Sequence, residues 1–384
     1  MAKPQRLSTD RVVNAALAFR GYNVTNLGRT SELLEIAAYR EIVAEELGRF
    51  GAVCEREACR PVDLLQLVQD DNEPDLAHYS EAVALVVATE IAQLRLLKEV
   101  HGVDHGRAKL SFGYSLGELS AVCCSGVFAV EDLVRVPLAL AEDCVLLSEE
   151  TRMGVLFSRG PAIPEADVDR LCVTITSEGK GTIGISAVLS PNTYLLIGQN
   201  QTVQRFKDQM HELLPHKAHL RLNSDQWPPL HTPIVRQCAV PDRAAVMMQN
   251  LPGGLQPPSP PVVSLVTGKR SYDDHSGREV LRQWVDHPQR LWDAVCETLA
   301  AGVETVIHIG PEPNVIPATF QRLAENVEQQ TGSNSIESFR LRAVAGLARR
   351  SWLSALLPSR ASLLRAPHVK HIILEDWLIE NAPQ

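Results

Sequence analysis

Gly113-Tyr114-Ser115-Leu116-Gly117-Glu118 is the stretch from which the rest of the chain is best read. It has the form G-x-S-x-G and sits between a short apolar run, Ala108 to Phe112, and a small-residue stretch, Leu119 to Ser125, that reads as a helix. A strand that turns sharply into a helix lifts a serine hydroxyl above the sheet edge. It also aims the following amide and the helix N-terminus at any oxyanion that develops there. Glycines at both ends are expected, because a side chain would clash in so tight a turn. Ser115 is therefore the candidate nucleophile, and the bland alternative is a structural turn serine.

Upstream, Asn14 to Phe19 reads as a buried strand, broken by Arg20-Gly21-Tyr22-Asn23 and followed by helical periodicity from Glu32 to Phe50. Ala77 to Val100 reads as a long apolar helix leading to the strand before Ser115. Downstream, Val130 to Glu149 is helical with a break or kink expected at Pro137. Strand and helix alternate throughout, which implies a parallel sheet.

The pattern changes from Gly154: strand to Ser158, helix Glu165 to Ser177, strands Ile183 to Val188 and Thr193 to Ile197, helix Thr202 to Leu214, strand Ala218 to Leu222. This β-α-β-β-α-β order describes a ferredoxin-like unit inserted in the larger domain. After a Pro/Gly-rich connection, Pro252 to Pro261, the α/β pattern resumes. It runs through a strand over Val262 to Thr267, a mostly helical Val280 to Ala301 and a buried strand, Thr305 to Ile309. The expected fold is α/β, a parallel-sheet, hydrolase-like large domain with an inserted ferredoxin-like small domain. Residues 12–152 and 224–325 form the core, 153–223 the insertion and 326–384 an extension of uncertain fold.

The composition is that of a globular protein, with 384 residues and 45% hydrophobic content. A formal charge of −9 gives no global basic field to attract nucleic acid. The eight cysteines lack C-x-x-C pairing, against a disulfide framework or structural zinc site. No signal core or membrane-length apolar stretch is evident, so a cytoplasmic protein without a membrane partner is expected. Arginines and a lysine among the last residues (Arg340, Arg342, Arg349, Arg350, Arg360, Arg365, Lys370) read as a solvated face that could attract an acidic partner. His101 and His105, four residues apart, read as a solvated loop, because Gly102 and Gly106 interrupt any helix that would align them as metal ligands.

A nucleophilic serine needs a base, and His231 is the best candidate, in Trp227-Pro228-Pro229-Leu230-His231-Thr232-Pro233-Ile234 directly after the insertion. Taken alone, a histidine in such a loop is more often a satisfied or surface residue. At this point the chain resembles the malonyl-CoA:acyl carrier protein transacylase family, including the acyltransferase domains of fatty acid and polyketide synthases. Gly113 to Glu118 matches the family's G-H-S-L-G-E except at Tyr114, and Leu230 to Ile234 is similar to F-H-[ST]-P-[LM]. Pro261 to Gly268 resembles P-V-x-S-N-V-T-G. Leu281-Arg282-Gln283-Trp284 with Pro288-Gln289-Arg290-Leu291-Trp292 resembles L-x-x-Q…P-V-x-W, and Val306 to Pro311 a strand ending in E-[IV]-G-P.

The resemblance implies two-step acyl transfer, with Ser115 as nucleophile and His231 as base. It implies an oxyanion hole from the amides of Leu116 and Tyr22, and a main-chain carbonyl near Gln283 that orients the histidine. The implied partners are a coenzyme A thioester as substrate and a phosphopantetheinyl acyl carrier protein as acceptor, with no permanently bound cofactor and no metal. The chain departs from the family at the first loop, where only Gly21 of P-G-Q-G is kept. It departs again at Leu140, which stands where members selecting malonyl groups carry an arginine. With Tyr114 beside the nucleophile, Leu140 implies a reshaped acyl pocket that disfavours malonyl and prefers a neutral acyl chain. Two other functions remain open: a thioester hydrolase that edits carrier proteins, and a non-catalytic docking subunit.

Overall fold

The computed structural model describes residues 7–215, 217–332 and 359–383. Its central strand β1 (Ala15–Phe19) is apolar at every position and buried along its whole length. That is the signature of a parallel strand covered on both faces. β1 pairs in parallel with β2 (Leu110–Gly113) on one side and β7 (Thr305–Ile309) on the other, with Phe19 opposite both Gly113 and Ile309. Because these ends are level, the loops after β1, β2 and β7 meet at one edge of the sheet, the carboxyl edge where open α/β sheets place their sites.

A fourth strand, β8 (Lys370–Ile373), extends the sheet beside β7, giving the order β2-β1-β7-β8. The chain past residue 326 thus completes the sheet. Arg365 is buried and donates to the carbonyls of Leu299 (2.8 Å) and Val303 (3.0 Å), at the C-terminal end of helix Leu291–Ala300. It serves as an internal helix cap and not as part of a solvated face. Arg340, Arg342, Arg349 and Arg350, and the side chain of Arg360, lie outside the described residues.

The second sheet is antiparallel, formed by β3 (Thr151–Ser158), β4 (Ile183–Ser190), β5 (Thr193–Gln199) and β6 (Ala218–Leu222) in the order β4-β5-β3-β6. With helices Glu165–Ser177 and Thr202–Gln209 between its strands, this is the ferredoxin-like arrangement. Alternation along β5 separates its faces. Leu196 packs with Val168, Leu171 and Phe206 under the two helices, whereas Ile197 packs with Met153 and Ile234 toward the large domain.

The run over Val130 to Glu149 is broken around Pro137 as expected, into Val130–Leu133, Arg135–Ala139 and Ala141–Ser148. Two other segments depart from the expected elements for local reasons. Val280 to Ala301 divides into Gly277–Trp284 and Leu291–Ala300, with Pro288 between them. Val262 to Thr267 makes only single bridges, Ser111 to Val262 and Ser264 to Lys269. The amide of Leu265 donates to the Glu118 carboxylate at 3.0 Å instead of to a strand. Among the described residues, no helix is long and apolar enough to cross a membrane.

Candidate active site

Ser115 joins β2 to helix Leu116–Cys124 with φ 53° and ψ −117°. A non-glycine residue holds such a backbone only where its surroundings impose it. The two glycines explain how. A Cβ on Gly113 would stand 2.0 Å from the Gly117 carbonyl, and one on Gly117 would stand 2.4 Å from the carbonyls of Phe19 and Arg20. The turn is thus pressed against its own helix and against the end of β1, with no room for side chains.

His231 comes from a different part of the chain, and it too has a positive φ, 66°. Its amide donates to the Val285 carbonyl at 2.7 Å, and Thr232 caps the following short helix, Pro233–Cys238. The imidazole Nε2 lies 2.7 Å from Ser115 Oγ, so the hydroxyl donates to the ring. On the far side Nδ1 lies 2.7 Å from the carbonyl oxygen of Trp284, which fixes the proton on Nδ1 and leaves Nε2 as acceptor. The Trp284 ring stands edge-on to the imidazole, and its Nε1–H donates to the Ser115 carbonyl at 2.9 Å.

The orienting carbonyl is therefore that of Trp284, not Gln283, whose side chain points away to Glu279. Counting L-x-x-Q from Leu281 does reach position 284, but the residue there is tryptophan. A main-chain acceptor needs no particular side chain, so residue type gave no signal. Burial pulls the pKa of His231 down to about 4, while the Trp284 carbonyl works in the opposite direction. The ring is a neutral base at ordinary pH.

Ser115 and His231 open into a cavity of about 260 Å³, walled by Tyr22, Tyr79, Tyr114, Trp227, Met153 and Ile197 among others. Tyr22 stands edge-on to Tyr79 and to Trp227, with ring centroids 4.8 and 6.0 Å apart. Among the described residues, no lysine or arginine lines the cavity. Leu140 is buried in the core of the large domain and does not reach this wall, so its place in the acyl pocket is corrected. Arg152, a conceivable substitute cation, donates to the Thr151 carbonyl and lines a separate surface hollow.

The first loop lies against the nucleophile. A Cβ on Gly21 would approach the Tyr114 carbonyl to 2.5 Å and Ser115 Cβ to 3.2 Å. Arg20, where the resembling family has proline, ties this loop down. Its buried guanidinium donates to the carbonyls of Gly21 (2.7 Å) and Thr25 (3.0 Å), to Asn26 Oδ1 (3.0 Å) and to the Pro311 carbonyl. Sequence reading passed over this residue and over Gln289, whose amide oxygen accepts the Ser115 N–H at 3.0 Å.

His101 proves not to be a solvated loop residue. Its Nε2 lies 2.6 Å from the Tyr39 hydroxyl, and its ring packs edge-on against Trp377.

No family model matches the chain. Among curated proteins it is similar to the malonyl CoA-acyl carrier protein transacylase of Bacillus subtilis, 22% identical over 269 residues, covering 69% of this chain and 63% of the relative. It is also similar to mycoketide-CoA synthase of Mycobacterium tuberculosis, 23% identical over 286 residues, which are 74% of this chain but 6% of that protein. The chain thus spans less than two thirds of the length of these relatives. Of solved structures, the transacylase from Xanthomonas oryzae superposes with a TM-score of 0.64 at 22% identity, covering 81% of this chain and 91% of that one. A malonyl-transacylase solved with its type II polyketide acyl carrier protein gives 0.61 at 22% identity, covering 79% and 91%. These sequence and structure neighbours point to the malonyl-CoA:acyl carrier protein transacylase family at low identity, and the fold is shared.

Proposed function

We propose that the protein is a Ser-His acyltransferase that moves an uncharged acyl group from a coenzyme A thioester to the pantetheine thiol of an acyl carrier protein, in fatty acid or polyketide synthesis. The observation that carries this reading is the 2.7 Å contact between Ser115 Oγ and a neutral His231 at the mouth of an apolar cavity. As Oγ attacks the thioester carbonyl, its proton passes to Nε2 and an oxyanion forms. When the oxyanion collapses the C–S bond breaks, and the thiolate of coenzyme A takes the proton from the imidazolium. An acyl-serine remains, and the carrier thiol reverses the sequence.

The amide of Leu116, at the start of its helix, and that of Tyr22, on the loop pressed against Ser115, are the proposed oxyanion donors. The neutral acyl group follows from the wall. A malonyl carboxylate would enter a cavity without a cation to pair with, and an unpaired buried charge is strongly disfavoured.

Intact-mass measurement after incubation with acetyl-, propionyl-, hexanoyl- and malonyl-CoA tests the proposal. The expected result is an acyl adduct on Ser115 from the neutral thioesters, passed on when a phosphopantetheinylated carrier protein is added. Absence of any adduct defeats the catalytic reading, and efficient malonyl loading defeats the neutral-substrate assignment. Loss of the adduct to water alone identifies a hydrolase.

A further inference from the structure

Gln289 is completely buried and forms a junction between three parts of the molecule. Its main chain is stitched to the small domain: its amide donates to the Ser186 carbonyl at 2.8 Å, and its carbonyl accepts from Val188 at 2.9 Å, both residues on β4. Its side chain reaches the large domain, where Oε1 accepts the Ser115 N–H at 3.0 Å. That bond settles which end of the amide is oxygen, so the amino group faces His231, with Nε2 3.2 Å from Nδ1. The resembling family's P-V-x-W places valine after the proline, a residue that could do none of this.

We propose that Gln289 is a positioning residue: it fixes the strained Ser115 backbone to the small domain and turns the positive end of its amide dipole toward the histidine, holding the imidazole neutral. This rests on the Ser-His reading above. The Ser115 N–H lies outside any helix ladder, so without Gln289 this half-buried donor loses its side-chain partner. The amino group, for its part, opposes charge on a ring whose Nδ1–H already points to Trp284. The other titratable groups around the ring are the phenols of Tyr22, Tyr79 and Tyr114 on the cavity wall. Asp286, near the Val285 carbonyl, is engaged by Arg236 at 2.8 Å and by His287. None of these places a carboxylate on the imidazole.

The test uses a fluorophosphonate probe, which labels an activated serine whatever the natural acyl group, on the full chain and on Gln289→Val and Gln289→Glu. In the valine variant the labelling rate at pH 7.5 should fall at least tenfold. In the nearly isosteric glutamate variant the acid limb of the labelling profile should move up by about one pH unit, since a carboxylate at that distance favours imidazolium. A valine variant labelled within threefold of the parent, or a glutamate limb that stays in place, overturns the proposal. If valine prevents folding, the glutamate limb decides alone. Failure of the unsubstituted chain to label at Ser115 would instead defeat the Ser-His reading itself.

Discussion

Ser115 carries backbone strain that a serine tolerates only when neighbours impose it, and those neighbours are the parts of the proposed site. Replacing Ser115 with alanine should abolish the acyl adduct seen by mass while leaving the far-ultraviolet circular dichroism unchanged. His231→Ala should slow acylation by about two to four orders of magnitude, the usual worth of a general base, which stopped-flow release of coenzyme A would measure. The low basicity of His231 sets the pH response. The ring loses its acceptor only on protonation, so acylation should stay level from pH 8 to about 5.5 and fall as the pH drops through about 4. At this scale sequence was a good guide where chemistry demands a residue type and a poor one where it does not. Ser115 and His231 stand out in the chain, and the structure brings them together. The Trp284 carbonyl, by contrast, is anonymous in sequence. The wall of Tyr22, Tyr79 and Trp227 comes from three distant segments that only folding assembles.

Strands and helices frame the nucleophile through contacts too close for side chains. Gly113→Ala and Gly117→Ala would each drive a methyl group into main-chain carbonyls at 2.0 and 2.4 Å, which backbone cannot relieve without moving β1 or the elbow. Each should lower stability by about 3 kcal/mol or more, read from urea midpoints, and the loss of activity should follow the loss of fold. Arg20→Met tests a subtler point. The loop of residues 20–26 would lose its common donor, so acylation should fall more than tenfold through the turnover rate, whereas Gly21 still lets the chain pass Ser115. Element by element, the buried strands were legible because continuous apolar runs have few other fates. Pro137 announces its own break, but Glu32 to Phe50 reads as one run although an extended residue at Ile36 divides it, into Thr30–Glu35 and Arg40–Ala58. The segment Val262 to Thr267 has the composition of a strand. Its amide at Leu265 is captured by Glu118, a side chain 147 positions away that no local pattern reveals.

Across the whole molecule, two sets of buried groups act oppositely on stability. Burial lowers the pKa values of His231, His308 and His371 to about 4, 3 and 4, so below about pH 6.5 the unfolded chain takes up protons that the folded chain refuses, and stability falls with falling pH. Burial also raises the carboxyls of Glu90, Glu118 and Glu375 to about 8, 7 and 7. Between the ordinary carboxylate range and those values the folded chain holds protons that the unfolded chain has released, so stability is lost as the pH rises. The two slopes offset each other between about pH 4.5 and 6.5, where both windows overlap. Above that range only the acids act, and the urea midpoint should decline from pH 6.5 to 8.5. Glu90 supplies the highest of the three values. It lies behind the elbow, close to Arg20, with Ser120 beside it. Glu90→Gln keeps its shape and removes its titration, so the variant should already exceed the parent at pH 6 and do so by a wider margin at pH 8.5. A decline as steep in the variant as in the parent would mean that Glu90 is already ionised at neutral pH. Its carboxylate would then be a fixed counter-charge for Arg20, which holds the first loop against Ser115.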